Sequence, residues 1–300
     1  MKKLLVSVLG MGFAISALAV DHPYCYWTGA VNTSVDEPGN WKDADGNVLT
    51  EKPGDDAYLV FTNITKALTV TNESDYKFYG YIVRDCTADI KLFGDKRVIR
   101  LNAGGVLQES SSGTFWLNYT TTTYGGTNVI DVTQPGATVA VQNGFSLPSS
   151  DKNKEVVVKR GPGTFLTVAT DGSTFSTGHH ELLLEGGTWQ IKSKTRNWDG
   201  VLVTFGGNDC NFNFGYDYAL TNVTLRETAA ANAHTHGFSG SGTLTFAGSK
   251  LADTTFHGRF SDAISLNWDP GKVAKLTLAG ATHPTTGNLT VSNGEVALTD

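Results

Sequence analysis

The chain has 300 residues, of which 23 are Lys or Arg and 29 are Asp or Glu, so its formal net charge at pH 7 is −6. An acidic chain repels the phosphate backbone of nucleic acids, and nucleic-acid binding is therefore not expected. Only 17% of the residues are charged and 34 are glycine, while β-branched and aromatic residues lie between Gly, Asn and Asp throughout. This composition predicts an all-β fold with many short strands.

The first 19 residues have the pattern of a secretory signal peptide. Lys2 and Lys3 precede an uncharged apolar run over residues 4–17, and Ala17-Leu18-Ala19 is an A-x-A cleavage site. The run is shorter than the roughly 20 residues that span a bilayer, which argues against a membrane anchor. We therefore expect cleavage after Ala19, which removes two lysines and takes the net charge from −6 to about −8. The mature chain would have no membrane span and would lie outside the cell, on a bacterial cell surface or in the periplasm.

Residues 20–63 differ from the rest of the chain. Trp27 and Trp41 are separated by a polar loop that contains glycine and proline, and the apolar run Tyr58–Phe61 follows. A solenoid exposes apolar layers at its ends and needs a cap of atypical sequence. The segment is therefore predicted to be an N-terminal cap or first coil. A sugar-binding platform built on the same two tryptophans is the alternative.

Residues 64–300 contain short strands at spacings of roughly 8 to 12 residues, which suit a sandwich, a barrel or a solenoid. Gly-x-Gly-Thr followed by an apolar residue occurs at 161–165 and at 240–244. A longer unit of strand, polar loop, strand, glycine turn and strand occurs at 157–191 and at 275–298. Such repeats indicate stacked coils, because one coil cannot bury its apolar face alone. A lectin-like β-sandwich is the alternative.

The repeats resemble the autotransporter-associated β-strand repeat, a solenoid unit of bacterial surface passengers. Lys159–Val168 matches the Lys-x-Gly-x-Gly-Thr start of that unit, and Leu289–Leu298 matches its end. The tryptophan-containing segment 24–61 is similar to the region that often precedes such repeats. The resemblance covers this segment, residues 156–191 and residues 240–300. Together with the repeats, it implies a right-handed parallel β-helix (β-solenoid) with an N-terminal cap, in a secreted or surface protein.

Two places in the sequence are candidate metal ligands. His234 and His236 would share one side of a strand and could bind one cation, although a surface loop is the simpler interpretation. Asp43, Asp45 and Asn47 resemble part of a calcium loop, but the glycine at its sixth position and its distant glutamate are missing. A turn explains them equally well. We predict no cofactor.

Aromatic residues are the candidate carbohydrate-binding groups. Residues 212–218 alternate strictly, which predicts one strand face with Phe212, Phe214, Tyr216 and Tyr218. This row is either an apolar ladder inside the solenoid or a sugar-stacking strip at Tyr216 and Tyr218. Other aromatic residues in or beside predicted strands are Trp116, Trp189, Trp198 and Trp268.

Acidic residues are the candidates for a polysaccharide-cleaving site. Glycoside hydrolysis uses two carboxyl groups at a defined separation. No motif in the sequence ties two of them together, so no catalytic residue is predicted. The candidates are Asp209, Asp217, Glu227, Asp253, Asp262 and Asp269.

Three cysteines are present, Cys25, Cys86 and Cys210. Export permits disulfides, and the odd number leaves at least one thiol outside any intramolecular pair. Cys25 with Cys86 is the preferred pair, because both lie in the N-terminal part of the chain. Alternatively, all three are small buried apolar residues.

The sequence therefore favours a non-enzymatic solenoid with a structural or adhesive function, as a secreted or cell-surface passenger. Its expected partners are surface glycans or other extracellular matrix components. A polysaccharide-active or carbohydrate-binding β-helix is the alternative function, and the sequence does not settle whether the chain is an enzyme.

Overall fold

The structure is a computed structural model of the chain. The predicted signal peptide lies outside the described residues. The residues that the structure describes are 22–72, 75–94, 98–119, 121–123, 126–146, 155–168, 180–192, 197–228, 235–279 and 283–299.

The chain forms an all-β solenoid of about nine turns, built from stacked parallel sheets. The described residues contain no α-helix, and one 3₁₀ turn covers Pro38–Asn40. Among the described strand pairs, all are parallel except the N-terminal pair of Tyr24–Trp27 with Trp41–Lys42. The structure confirms the predicted parallel β-helix, and the β-sandwich alternative is wrong because sandwich strands pair antiparallel.

Two long sheets form two sides of the solenoid. Sheet 1 has ten strands: β1 (Tyr24–Trp27), β2 (Trp41–Lys42), β3 (Tyr58–Thr62), β5 (Gly80–Arg84), β8 (Gly105–Gln108), β11 (Thr127–Val132), β14 (Val156–Arg160), β16 (Glu181–Leu184), β19 (Leu202–Phe205) and β22 (Thr224–Glu227). Sheet 2 has nine strands: β4 (Leu68–Asn72), β6 (Ile90–Gly94), β9 (Gly113–Leu117), β12 (Ala137–Gln142), β15 (Thr164–Val168), β17 (Gly187–Ile191), β20 (Cys210–Phe214), β23 (Gly237–Gly240) and β26 (Arg259–Phe260).

Three shorter sheets complete the coils. Sheet 3 contains β7 (Ile99–Leu101), β10 (Thr121–Thr123) and β13 (Phe145–Ser146). Sheet 4 contains β18 (Asn197–Asp199), β21 (Tyr218–Thr221), β24 (Thr243–Ala247), β27 (Ser265–Asp269) and β29 (Leu289–Val291). Sheet 5 contains β25 (Thr254–Phe256), β28 (Lys275–Ala279) and β30 (Glu295–Thr299).

The core consists of inward side chains that stack in register from coil to coil. In sheet 2, Phe165, Trp189, Phe212, Phe238 and Phe260 are consecutive partners along five strands. All five are buried. Consecutive ring centroids in this ladder lie 4.8, 5.5, 6.2 and 5.4 Å apart. Strand spacing of about 4.8 Å brings equivalent side chains into contact, so an aromatic residue at one inward position favours another above it.

The strand register gives the length of one coil. Thr164 and Thr188 are register partners on neighbouring coils. The long unit at 157–191 therefore covers one whole coil and part of the next. One coil is about 20 to 29 residues, as the stacked pairs Leu276–Val296 and Ile130–Lys159 show.

The N-terminal segment starts the solenoid and covers its first edge. β1 pairs in parallel with β3, and β2 folds back and pairs antiparallel with β1. Trp27 and Trp41 meet edge to face at 4.9 Å, and both pack on Phe61. The Trp41 indole N–H donates to Val35 O at 2.8 Å. Both tryptophans are buried, so the alternative of a sugar platform on these two residues is wrong.

Candidate functional site

The predicted strip of four aromatic residues over 212–218 is broken by a corner. β20 ends at Phe214 and β21 starts at Tyr218. Phe212, Phe214 and Tyr218 are buried, whereas Tyr216 lies on the corner and is 43% exposed. Tyr216 and Tyr218 therefore do not share a face, and the predicted sugar-stacking pair is wrong.

The tryptophans named with that strip also lie mostly in the core. Trp189, Trp198 and Trp268 are fully buried. Trp116 is half-buried, and it lies on the outer face of sheet 2 because its neighbours Phe115 and Leu117 point into the core. Trp116 is thus the tryptophan of this group that reaches solvent.

A second aromatic surface, which we call the tyrosine patch, was not predicted. It consists of His22, Tyr24, Tyr58 and Tyr79 on the outer face of sheet 1. The His22 and Tyr79 rings stack at 3.4 Å, and the Tyr24 and Tyr58 rings stack at 5.2 Å. Tyr58 meets Tyr79 edge to face at 5.0 Å, which joins the two stacks into one surface. Tyr24 is 39% exposed, and the other three members are half-buried.

Two glycines position the rings of the tyrosine patch. A side chain at Gly80 would come within 2.6 Å of the Tyr58 ring, and one at Gly104 would come within 2.6 Å of the Tyr79 ring. The rings therefore lie against bare backbone and have little freedom to move. Burial, followed by the nearby hydroxyls of Tyr79 and Tyr24, raises the pKa of Tyr58. The Tyr58 hydroxyl consequently stays protonated at neutral pH and can donate a hydrogen bond.

The predicted calcium loop is a hairpin turn. Asp43 N donates to Asn47 O at 2.9 Å, and Gly46 N donates to Asp43 O at 3.1 Å. Asp43 Oδ1 accepts from Asn47 N at 2.8 Å, and Oδ2 accepts from Asn47 Nδ2 at 3.1 Å. Hydrogen bonds from the Asn47 side chain and then its backbone lower the pKa of Asp43. Both carboxylate oxygens thus serve the turn, and the calcium prediction, which also named Asp45, has no support in this geometry.

The second predicted metal site is also a structural contact. His234 lies outside the described residues. His236 is fully buried, and its Nε2 lies 2.5 Å from Glu227 Oε1. The described residues contain no group of three or more His, Cys, Asp or Glu side chains that could hold a metal ion.

Glu227 joins two coils where the ladder of sheet 1 stops. β22 and the next strand on this side, β25, contact each other but do not pair as a ladder. The Glu227 carboxylate accepts from His257 Nδ1 at 2.9 Å, and from the backbone N–H groups of His257 and Gly258 at 3.0 to 3.1 Å. The Glu227 carboxylate therefore accepts the hydrogen bonds of His257 N and Gly258 N, which backbone carbonyls would accept in a continuous ladder.

The charge state of Glu227 follows from these contacts. Burial alone would raise its pKa, but the hydrogen bonds from His236 and His257 outweigh burial and hold the pKa below its ordinary value of 4.5. Glu227 is therefore ionised at neutral pH and can only accept hydrogen bonds. Its role is to hold the coils together.

Several other acidic residues considered for polysaccharide cleavage also connect coils. Asp217 Oδ1 accepts from Thr243 N at 2.7 Å, and Asp253 Oδ1 accepts from Lys275 N at 2.9 Å. Asp269 Oδ1 accepts from Asn293 Nδ2 at 2.8 Å. Asp209 and Asp262 adopt positive φ angles of 54° and 61°, which suits their corner positions. The side-chain contacts give Asp217, Glu227, Asp253 and Asp269 a structural role, and Asp209 and Asp262 are corner residues.

Lys159, the lysine of the family-like motif, is a buried structural residue. Its Nζ donates to the carbonyl oxygens of Arg160 and Gly161 at 2.7 Å and of Gly186 at 3.1 Å. Burial lowers its pKa to about 8, against the opposing charge of Asp131. The ammonium group therefore ties the glycine corners of two stacked coils together.

The predicted disulfide between Cys25 and Cys86 is not formed, and all three cysteines are buried thiols. Cys25 stacks on Leu59, which stacks on Tyr81, and Cys86 lies beyond the end of that third strand. Two coil steps already separate the chains by about 10 Å, whereas a disulfide needs Cα atoms within about 7 Å. Burial, with the charges of nearby acidic residues, raises the pKa of Cys25 to about 11, so its thiol is unreactive at neutral pH.

Within the described part of the chain, no helix is long and apolar enough to cross a membrane. Comparison with known proteins found no protein-family model, no curated protein and no solved structure that matches this chain. The resemblance to the autotransporter-associated repeat therefore stays a prediction.

Proposed function

We propose that this chain is an exported, non-enzymatic solenoid that acts as a structural and adhesive scaffold of the passenger type. The observation that carries the proposal is the tyrosine patch on the outer face of sheet 1. Half-buried aromatic rings with polar edges are typical of recognition surfaces, because they bury a large area at a low cost in side-chain entropy. The Tyr58 and Tyr79 rings pack directly on Gly80 and Gly104, which orders them before a partner binds and further lowers that cost.

The expected partners are surface glycans or other extracellular matrix components. Tyrosine rings suit both, since the ring faces pack against apolar groups while the hydroxyls form hydrogen bonds. A polysaccharide-cleaving function has less support, because Asp217, Glu227 and Asp253 accept hydrogen bonds from the backbone of the next coil.

Export of the chain rests on the signal-peptide pattern of residues 1–19. When the full chain is expressed in a bacterial host, we expect mature protein outside the cytoplasm with Val20 as its N-terminal residue. Cell fractionation followed by N-terminal sequencing measures this. Uncleaved protein confined to the cytoplasm would contradict export, and replacing Leu5 and Leu9 by Arg, which disrupts the apolar run, is the matched control.

Adhesion through the tyrosine patch predicts a specific loss on substitution. The double variant Tyr24→Ala, Tyr58→Ala is expected to weaken binding to the best ligand of a glycan array and matrix-protein panel by about tenfold or more. Tyr216→Ala is the control, because Tyr216 is exposed about as much as Tyr24 but lies outside the patch. Binding that is unchanged in the double variant, or a wild-type protein that binds nothing on either panel, would overturn the proposal.

A further inference from the structure

A shallow groove crosses the outer face of sheet 2 beside Trp116. Thr69, Lys91 and Trp116 are consecutive register partners on β4, β6 and β9, so their side chains form one outward row. The groove has a volume of about 280 Å³. This volume lies just below the range of about 300 to 1,000 Å³ that is typical of small-molecule sites, so it suits one small ring. Its lining residues are Ala67, Leu68, Thr69, Asp89, Lys91, Trp116 and Gln142.

The Trp116 indole supplies the apolar wall of this groove. The strand that carries it is anchored by Phe115 and Leu117, which are fully buried in the core on either side of it. The flanking strands β6 and β12 pair with β9 in parallel. The indole therefore projects from a rigid, central strand, and its exposed part presents a flat π surface.

Polar groups surround the indole. Asp89 Oδ1 accepts from Thr114 N at 2.8 Å, which orients that carboxylate at the corner of the groove. Lys91 and Gln142 add an ammonium group and a carboxamide to the lining. The negative charge of Asp89 and the positive charge of Lys91 balance, so the groove favours a ligand without net charge.

We propose that this groove binds a single neutral pyranose ring of a glycan, a hexose or an N-acetylhexosamine. The C–H face of the ring would stack on the Trp116 indole, while its hydroxyls would hydrogen-bond to the planar Asp89 and Gln142 groups. A flat apolar face with hydroxyls at its edge is the combination that these groups complement. The inference deepens the proposed adhesive function and rests on it, since it names a ligand class and a second contact surface.

The test is a titration of ¹⁵N-labelled protein with methyl glycosides of neutral hexoses and N-acetylhexosamines, up to about 50 mM because single rings bind weakly. We expect the Trp116 indole N–H resonance to shift with at least one glycoside. Trp116→Ala should weaken that binding by about tenfold or more, and Gln142→Ala by several-fold. Trp116→Phe should restore part of it, because phenylalanine keeps a π surface.

Tyr216→Ala is the matched control and should bind the glycoside as the wild type does. Trp116 is half-buried, so Trp116→Ala loses some packing, and its thermal unfolding is measured to show that the variant is folded at the titration temperature, which separates lost binding from lost folding. If no glycoside shifts the Trp116 resonance, or if Trp116→Ala binds as tightly as the wild type, the groove is not a saccharide site. In that case, weaker array and panel binding by the Tyr24→Ala, Tyr58→Ala variant would still support adhesion through the tyrosine patch. The groove proposal and the adhesion proposal can therefore fail independently.

Discussion

The substitution Gly105→Ala is expected to lower the free energy of unfolding by roughly 3 to 5 kcal/mol. Gly105 has a φ of +58° and lies at the start of β8, where a Cβ would come within 2.9 Å of Val129 C and closer still to Val129 O. Val129 belongs to the next coil, so the clash is with backbone that cannot rotate away. Two coils would have to separate, or the corner would have to change its conformation.

Urea unfolding followed by circular dichroism measures this loss. Gly46→Ala is the matched control, because Gly46 also has a positive φ, of +85°, but nothing lies within 4 Å of its Cβ position. Gly46→Ala should lower the free energy of unfolding by only about 1 kcal/mol, the conformational cost of a side chain at positive φ. Equal losses in the two variants would show that coil-to-coil contact at Gly105 is looser than described.

The substitution Glu227→Gln is expected to cost about 2 to 4 kcal/mol at neutral pH. The glutamate accepts from two imidazole rings and two backbone N–H groups, whereas a glutamine offers one acceptor oxygen and turns an NH₂ group toward donors. Because the pKa of Glu227 is lowered in the fold, its contribution is complete above about pH 4.5 and is lost as the pH falls through the folded-state pKa.

The stability difference between wild type and Glu227→Gln should therefore be large at pH 7 and shrink in acid. Unfolding in urea at several pH values measures it. Glu295→Gln is the control, since Glu295 pairs with Lys275 at 2.8 Å on the surface and 63% of its side chain is exposed. An exposed pair contributes at most about 1 kcal/mol. A pH-independent difference for Glu227→Gln would contradict an ionised carboxylate at this joint.

The solenoid was predictable because its corners need particular residues. Gly-x-Gly-Thr at 161–164 marks a place where the backbone of one coil passes close to the next, and Gly161 has a φ of +73°. The equivalence of neighbouring coils is harder to see, because the next coil has a different corner sequence, Glu185-Gly186-Gly187-Thr188, before Trp189. Phe165 and Trp189 stack although they are different residue types, and one sequence alone does not show that the two positions are equivalent.

The tyrosine patch and the contacts of Glu227 were harder to predict, because they depend on which residues the coils bring together. Strict alternation over 212–218 assumes one continuous strand, but Gly215 lies in the corner that turns Tyr216 outward. Glu227 and His257 are 30 residues apart and meet only because one coil separates them. The tyrosine patch had a signal, since Tyr24, Tyr58 and Tyr79 each lie at or beside the start of a strand in sheet 1.

A rod bends most easily where one of its sides is least stiff. At the level of Glu227, sheets 2 and 4 continue through β23 and β24 with their backbone ladders intact. On the third side, the backbone ladder stops at β22, and the Glu227 carboxylate bonds the residues that follow β25, His257 and Gly258. Bending that opens this side stretches a few side-chain hydrogen bonds, whereas bending in any other direction must stretch a backbone ladder. The interruption between β22 and β25 therefore gives the stack of coils one direction in which bending meets less resistance, toward opening this side.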